Sequence, residues 1–205
     1  MKDLVILCAD KNMQFTLKGA IGRPESMEIR PIEVDFLVHP GRDGGARKSG
    51  PELLRLQRQR CEHAILVLDF EGSGANQSES TALEKELDRQ LSVAWGNSAK
   101  AIVIDPELDV WLWGGDNAIH EAISWIGPQG VRQWLREQGF LFDDNNKPTR
   151  PKEALQAALR ARRLPRSSAV YQEIAEKISL RRCNDRSFIR LRETLSEWFP
   201  RPRQS

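Results

Sequence analysis

The chain has 205 residues, of which 40% are hydrophobic and 29% charged, and its formal net charge is +2. That is ordinary for a soluble globular protein and long enough for one α/β-sized core without covalent staples. Cys8, Cys61 and Cys183 lie far apart, which excludes a disulfide framework or a CxxC zinc knuckle. No apolar run approaches a membrane span, and the N-terminal run in MKDLVILCADKN is too short for a signal peptide, so a cytoplasmic protein with no membrane partner is expected.

The chain begins with Leu4–Cys8 (LVILC), a short uncharged run that predicts a buried strand. Met13, Leu17 and Ala20 in Lys11–Ile21 have the spacing of one helix face, with Asp10 or Asn12 as cap. Ile32, Val34, Phe36 and Val38 alternate, so residues 29–38 predict a second strand, whose Pro31 belongs at an edge. His39–Gly50 (HPGRDGGARKSG) reads as a loop, and Pro51–Arg60 as a helix with proline in its first turn. Ala64–Leu68 is a third strand, Thr81–Ser92 an amphipathic helix, and Ala101–Ile104 a fourth strand. Strands alternating with helices predict an α/β layer with a mostly parallel central sheet.

Beyond residue 105 the pattern becomes helical: 110–113, 118–126, 131–138, 152–162, 167–178 and 187–199. The expected division is an α/β core over 1–115 and a helical C-terminal region over 116–205, packed on the core as one compact unit. Trp111, Trp113, Trp125, Trp134 and Trp198 fall on amphipathic helices, where core packing is the default. Charge divides unevenly as well. Residues 147–205 carry 15 Lys/Arg against 6 Asp/Glu, which leaves 16 against 23 for residues 1–146. A tail near +9 facing a front near −7 suits either an anionic partner or packing of one half on the other.

The acids are the sharpest chemical signal. In open α/β sheets ligands collect at the carboxyl ends of the strands, and here Asp10 follows strand one, Asp69 and Glu71 follow strand three, and Asp105, Glu107 and Asp109 follow strand four. In LDFEGSG, a two-residue step along extended chain puts Asp69 and Glu71 on one side. Carboxylates at close quarters repel unless a cation sits among them. Oxygen-only ligands select a hard ion, Mg2+ or Mn2+, so Asp10, Asp69, Glu71, Glu107 and Asp109 are the candidate metal ligands. Turn chemistry and helix capping are the competing explanations for these residues. His39, Arg42, Arg47 and Lys48 in the glycine-rich loop, and Arg162, Arg163, Arg166, Arg181 and Arg182 in the tail, are the candidate nucleic-acid contacts. His39 or His63 could serve as a base. A Walker loop and a Gly-x-Ser-x-Gly elbow are both absent.

Together these residues resemble a known family. A strand ending in an acid (LCADKNMQF), FLVHPGRD, a strand ending in Asp69-x-Glu71-Gly72, IDPELDVWLW, Pro151-Lys152-Glu153 and Ser187-Phe188-Ile189-Arg190-Leu191 look like a divergent Toprim-like domain. Small bacterial proteins related to that fold share the PE-x-x-x-W-L segment, and the chain is similar to a component of methylation-associated anti-phage defence systems. The resemblance implies a metal-dependent, nuclease-like centre with Asp69, Glu71 and Glu107 as catalytic acids, acting on or binding nucleic acid, and other proteins of the same defence system as partners. The Toprim pattern places a glutamate, commonly followed by glycine, after strand one. Ala9-Asp10-Lys11 stands there instead, which leaves a non-catalytic sensor or adaptor as the alternative.

Overall fold

The structure is a computed structural model describing residues 1–114 and 117–202. The expected boundary at 115/116 lies outside the described residues. Four strands, β1 (Lys2–Cys8), β2 (Val34–Val38), β3 (Cys61–Asp69) and β4 (Ala99–Ile104), form one sheet in the order β2-β1-β3-β4. All pairings are parallel, with Ile6 opposite Phe36 on one side and Ile65 on the other, and Val67 opposite Ile102. The fold is therefore α/β with a four-stranded parallel sheet flanked by helices, followed by a helical C-terminal half.

The central strands are buried on both faces, which is why Leu4–Cys8 and Ala64–Leu68 read as continuous apolar runs. Helix α1 (Lys11–Ile21) begins where Asp10 accepts a hydrogen bond from the Met13 N–H at 2.8 Å. It packs on α9 (Ser168–Lys177). Gly19 allows the close approach, since a Cβ there would stand 2.8 Å from the Gln172 carbonyl oxygen. Helices α3 (Arg42–Arg55) and α4 (Ser80–Trp95) pack on each other and over β3 and β4. A single-turn α2 (Pro24–Met27) precedes β2.

The segment expected to be a loop, residues 39–50, is instead mostly the first half of α3, and Pro51 lies inside that helix. The physical reason is packing. A Cβ on Gly45 would lie 2.5 Å from the His39 ring, and one on Gly50 would lie 2.8 Å from Leu66. These helical positions are glycine because a neighbour occupies the space where a side chain would go.

The C-terminal half comprises α5 (Asp109–Leu112), α6 (Ala118–Ala122), α7 (Val131–Glu137), α8 (Pro151–Ala161), α9 and α10 (Arg186–Trp198). Trp111 and Trp113 are core residues, as expected. The Trp111 indole N–H donates to Ser187 Oγ and that of Trp113 to the Pro151 carbonyl. Among the described residues no helix is long and apolar enough to cross a membrane.

Candidate functional site

From β1 the chain moves to β2 on one side and then to β3 and β4 on the other, so strand order reverses between β1 and β3. The crevice beyond the carboxyl ends of those two strands is where open parallel sheets bind ligands. A cleft of about 340 Å³ opens there. Six acids line it, Asp10, Asp43, Asp69, Glu71, Glu107 and Asp109, against three cations, Arg42, Lys152 and Arg166. Each of the four strands thus sends at least one carboxylate to one cleft.

All five expected metal ligands line this cleft. Asp69 ends β3, and its Oδ1 accepts the Leu108 N–H at 2.9 Å, which ties the β3 end to the loop after β4. Backbone bonds from Phe70 N to the Ile104 carbonyl and from Glu71 N to the Pro106 carbonyl close the same seam. Asp69 and Glu71 share the cleft for a different reason than strand alternation. Phe70 is already in the right-handed helical region, and Glu71 opens a 3-10 turn over Glu71–Ser73. Asp10 lines the cleft while also capping α1.

Asp43, on the first turn of α3, is the acid that sequence reasoning missed. Its Oδ1 accepts the backbone N–H of Asp69 at 2.8 Å. The segment was expected to be a loop, so the side chain had no assignable direction. The usable signal was its position shortly after β2, the one strand that otherwise sent no acid to the site. Lys152 and Tyr171 were missed as well. The Lys152 ammonium donates to Glu107 Oε2 at 2.6 Å. Tyr171 Oη donates to Asp109 Oδ1 at 2.8 Å, while the Arg166 guanidinium bonds Tyr171 Oη at 2.6 Å and reaches Asp109 Oδ2 at 3.4 Å.

Crowding shows in the titration behaviour. Burial, then the nearby carboxylates of Asp43, Asp10, Glu107 and Asp109, holds the Asp69 carboxyl well above the usual carboxylate range. Burial likewise raises Asp43. Asp109, only 2% exposed, is pushed up to about 6 by burial, although Arg166 and Tyr171 favour its charged form. The Glu107 carboxylate raises the Lys152 pKa, so that cation stays charged beside its acid. Among the described residues no three His, Cys, Asp or Glu side chains are set to enclose a metal ion. Two of the acids already face protein cations.

The expected nucleic-acid contacts divide. Arg42 and Arg166 line the carboxylate cleft. His39 does not face it. His39 is 7% exposed, its Nδ1 accepts the Gly41 N–H and its Nε2 bonds Ser49 Oγ, so the ring fastens the start of α3. Arg47 Nε donates to the Ser73 carbonyl, bracing the turn after β3, and Lys48 is exposed on α3. Arg162 Nε donates to the Ile123 carbonyl, Arg181 pairs with Glu28, and Arg163 is exposed beyond α8. Arg182 lines a different cleft. In comparisons with known proteins, no family model, no curated protein and no solved structure matches the chain.

Proposed function

We propose that the cleft at the ends of β1, β3 and β4 binds a hard divalent cation, Mg2+ or Mn2+, together with a phosphodiester group of a nucleic acid. The observation that carries this is Asp69, a half-buried acid at the end of β3 that shares one cleft with Asp10, Asp43, Glu71, Glu107 and Asp109, its pKa raised by burial and then by four of those carboxylates. Such an arrangement is relieved by a proton or by a cation. The donors are all oxygen, which fits a hard ion. Magnesium is commonly held by one or two carboxylates plus substrate phosphates rather than by a full protein cage. When bound, the ion would polarise a phosphoryl oxygen and acidify a water.

The chain's own residues have separable tasks. Asp69, with Asp10 and Glu71 beside it, supplies ligand oxygens. Asp43 holds the Asp69 backbone, and the Leu108 N–H fixes one Asp69 oxygen in place. Arg42 lines the cleft with a guanidinium suited to phosphate. Lys152 and Arg166 pair with Glu107 and Asp109 and hold them in place.

The test is calorimetric titration of Mn2+ into wild type and Asp69→Asn, paired with cleavage of a labelled oligonucleotide. Asp69→Asn keeps the acceptor for Leu108, so the fold should persist while metal binding and metal-dependent cleavage disappear. Equal Mn2+ binding by both proteins, or none by either, defeats the proposal. One observation favours a second function: Lys152 and Arg166 already neutralise two of the acids. A site so compensated suits a non-catalytic adaptor for other proteins of an anti-phage defence system. In that case Asp69→Asn would protect cells in a phage challenge as well as wild type does.

A further inference from the structure

A second cleft, of about 470 Å³, opens in the helical half and shares no lining residue with the carboxylate site. Its described lining carries four cations, Arg132, Lys147, Lys177 and Arg182, against one acid, Glu121. Three of those cations come from separate pieces of chain: Lys147 from the α7–α8 connection, Lys177 from the last residue of α9, and Arg182 from the 3-10 turn Leu180–Arg182. The side chains of these three make no ion pair or hydrogen bond among the described residues. Elsewhere in the same half, cations that face a cleft or the sheet are matched: Lys152 with Glu107, Arg166 with Asp109, Arg186 with Glu84 and Arg190 with Asp88.

The rest of the wall is polar and held in place. Arg132 lies over the Trp113 ring, 5.6 Å from its centre, and donates to the Trp113 and Asn146 carbonyls. Asn184 Nδ2 donates to Asn145 Oδ1 at 2.7 Å, and both residues line the cleft. Like charges gathered in a concavity raise its potential and draw in an anion. A single exposed lysine at a helix end would be accounted for by the helix dipole, but convergence of three unpaired cations from three elements is not. The volume is that of a small-molecule site, and separated cations match more than one phosphate.

We propose that this cleft binds a small molecule carrying two or more phosphates, of the nucleoside diphosphate or triphosphate class. The test is calorimetric titration of pyrophosphate and ADP, without divalent metal, into the full chain. Both should bind one to one. Lys177→Gln and Arg182→Gln, at exposed positions, should each weaken binding about tenfold or more, as the loss of a charge-assisted hydrogen bond implies. Arg42→Gln, in the other cleft, should leave binding unchanged. The proposal is overturned if neither probe binds, if ADP fails where pyrophosphate binds, or if both variants bind like wild type. It also fails if Arg42→Gln abolishes binding, or if a DNA oligonucleotide displaces pyrophosphate and is itself weakened equally by Lys177→Gln and Arg182→Gln, since the cleft would then belong to a nucleic-acid track.

Discussion

Asp43 accepts a hydrogen bond from the backbone N–H of Asp69 at 2.8 Å, so the acid at the start of α3 fixes the end of β3. The contact is tightly enclosed, since a Cβ on Gly72 would lie 2.7 Å from Asp43 Oδ2. Asp43→Ala leaves the Asp69 N–H without its acceptor, and a buried donor left unpaired costs about 1–3 kcal/mol. Asp43→Asn can retain the bond and removes one of the charges that raise Asp69. Urea unfolding should rank wild type and Asp43→Asn close together and Asp43→Ala clearly below. Equal midpoints for Asp43→Ala and wild type would sink this account of the contact.

Arg42 occupies the left-handed backbone region, with φ of 50°, at the edge of the carboxylate cleft. For a residue with a Cβ that conformation costs about 1–2 kcal/mol, and such strain is tolerated where the side chain has a task. Arg42→Gly should therefore raise the unfolding free energy by about 0.5–1 kcal/mol while weakening oligonucleotide binding. A stabilised variant that still binds at full affinity would show that the guanidinium has no part in the site.

Glycine inside a helix usually costs about 1 kcal/mol relative to alanine, so Gly45→Ala would ordinarily stabilise α3. Here the opposite is expected. The new Cβ would stand 2.5 Å from a His39 ring that hydrogen bonds to Gly41 and Ser49 hold in place. Overpacking of this kind costs about 1–3 kcal/mol. Adding His39→Ala should make Gly45→Ala less harmful, a coupling that a double-mutant cycle measures directly. Strictly additive effects would mean that the ring yields freely.

These same residues mark what was legible in the sequence. Leu4–Cys8 and Ala64–Leu68 announce buried parallel strands because both sheet faces are covered, and α1 is bounded where its cap and periodicity place it. The acids at strand ends point to one shared cleft because parallel strands share one carboxyl edge. Residues 39–50 mislead because their glycines answer to His39 and Leu66, a tertiary requirement that local propensity does not contain, and Asp43 was lost with them. Lys152, Arg166 and Tyr171 lie 45, 57 and 62 residues from the acids they touch, a distance no motif spans. The tail arginines look alike in sequence, yet Arg186 and Arg190 turn inward to α4 and β4.

That inward turn closes the free edge of β4. Asp88 accepts the Ala101 N–H at 2.8 Å and Glu84 the Val103 N–H at 3.2 Å. Arg190 and Arg186 donate to the carbonyls of the same two residues at 3.2 and 3.1 Å. Four side chains thus replace a fifth strand and block edge-to-edge pairing. Glu84 is 4% exposed and also pairs with Arg186 and Arg190. Glu84→Ala should cost on the order of 2–3 kcal/mol, below the fully buried figure because the arginines reach water. Glu84→Gln, which keeps the acceptor for Val103, should cost less. A thermal midpoint for Glu84→Ala no lower than for the exposed control Lys85→Ala would overturn the edge-capping role.

The crowded acids make stability depend on pH in the unusual direction. Burial raises Asp109 from an ordinary 3.8 to about 6 in the folded chain, and Asp43 and Asp69 move the same way. Between pH 4 and 6 the folded chain therefore holds more protons at Asp109 than the unfolded chain does. Stability contributed by that residue is present below the window and lost as pH rises through it. Asp3, whose pKa is lowered by Arg30, works in the opposite sense, so the wild-type profile alone mixes the two. Asp109→Asn isolates the effect, because its amide oxygen can still accept from Tyr171 Oη. Urea unfolding at pH 4.5, 5.5 and 7.5 should show wild type losing roughly 1–3 kcal/mol relative to Asp109→Asn as pH rises. Parallel profiles across that range would mean that Asp109 titrates at its ordinary value and that Arg166 and Tyr171 fully offset its burial.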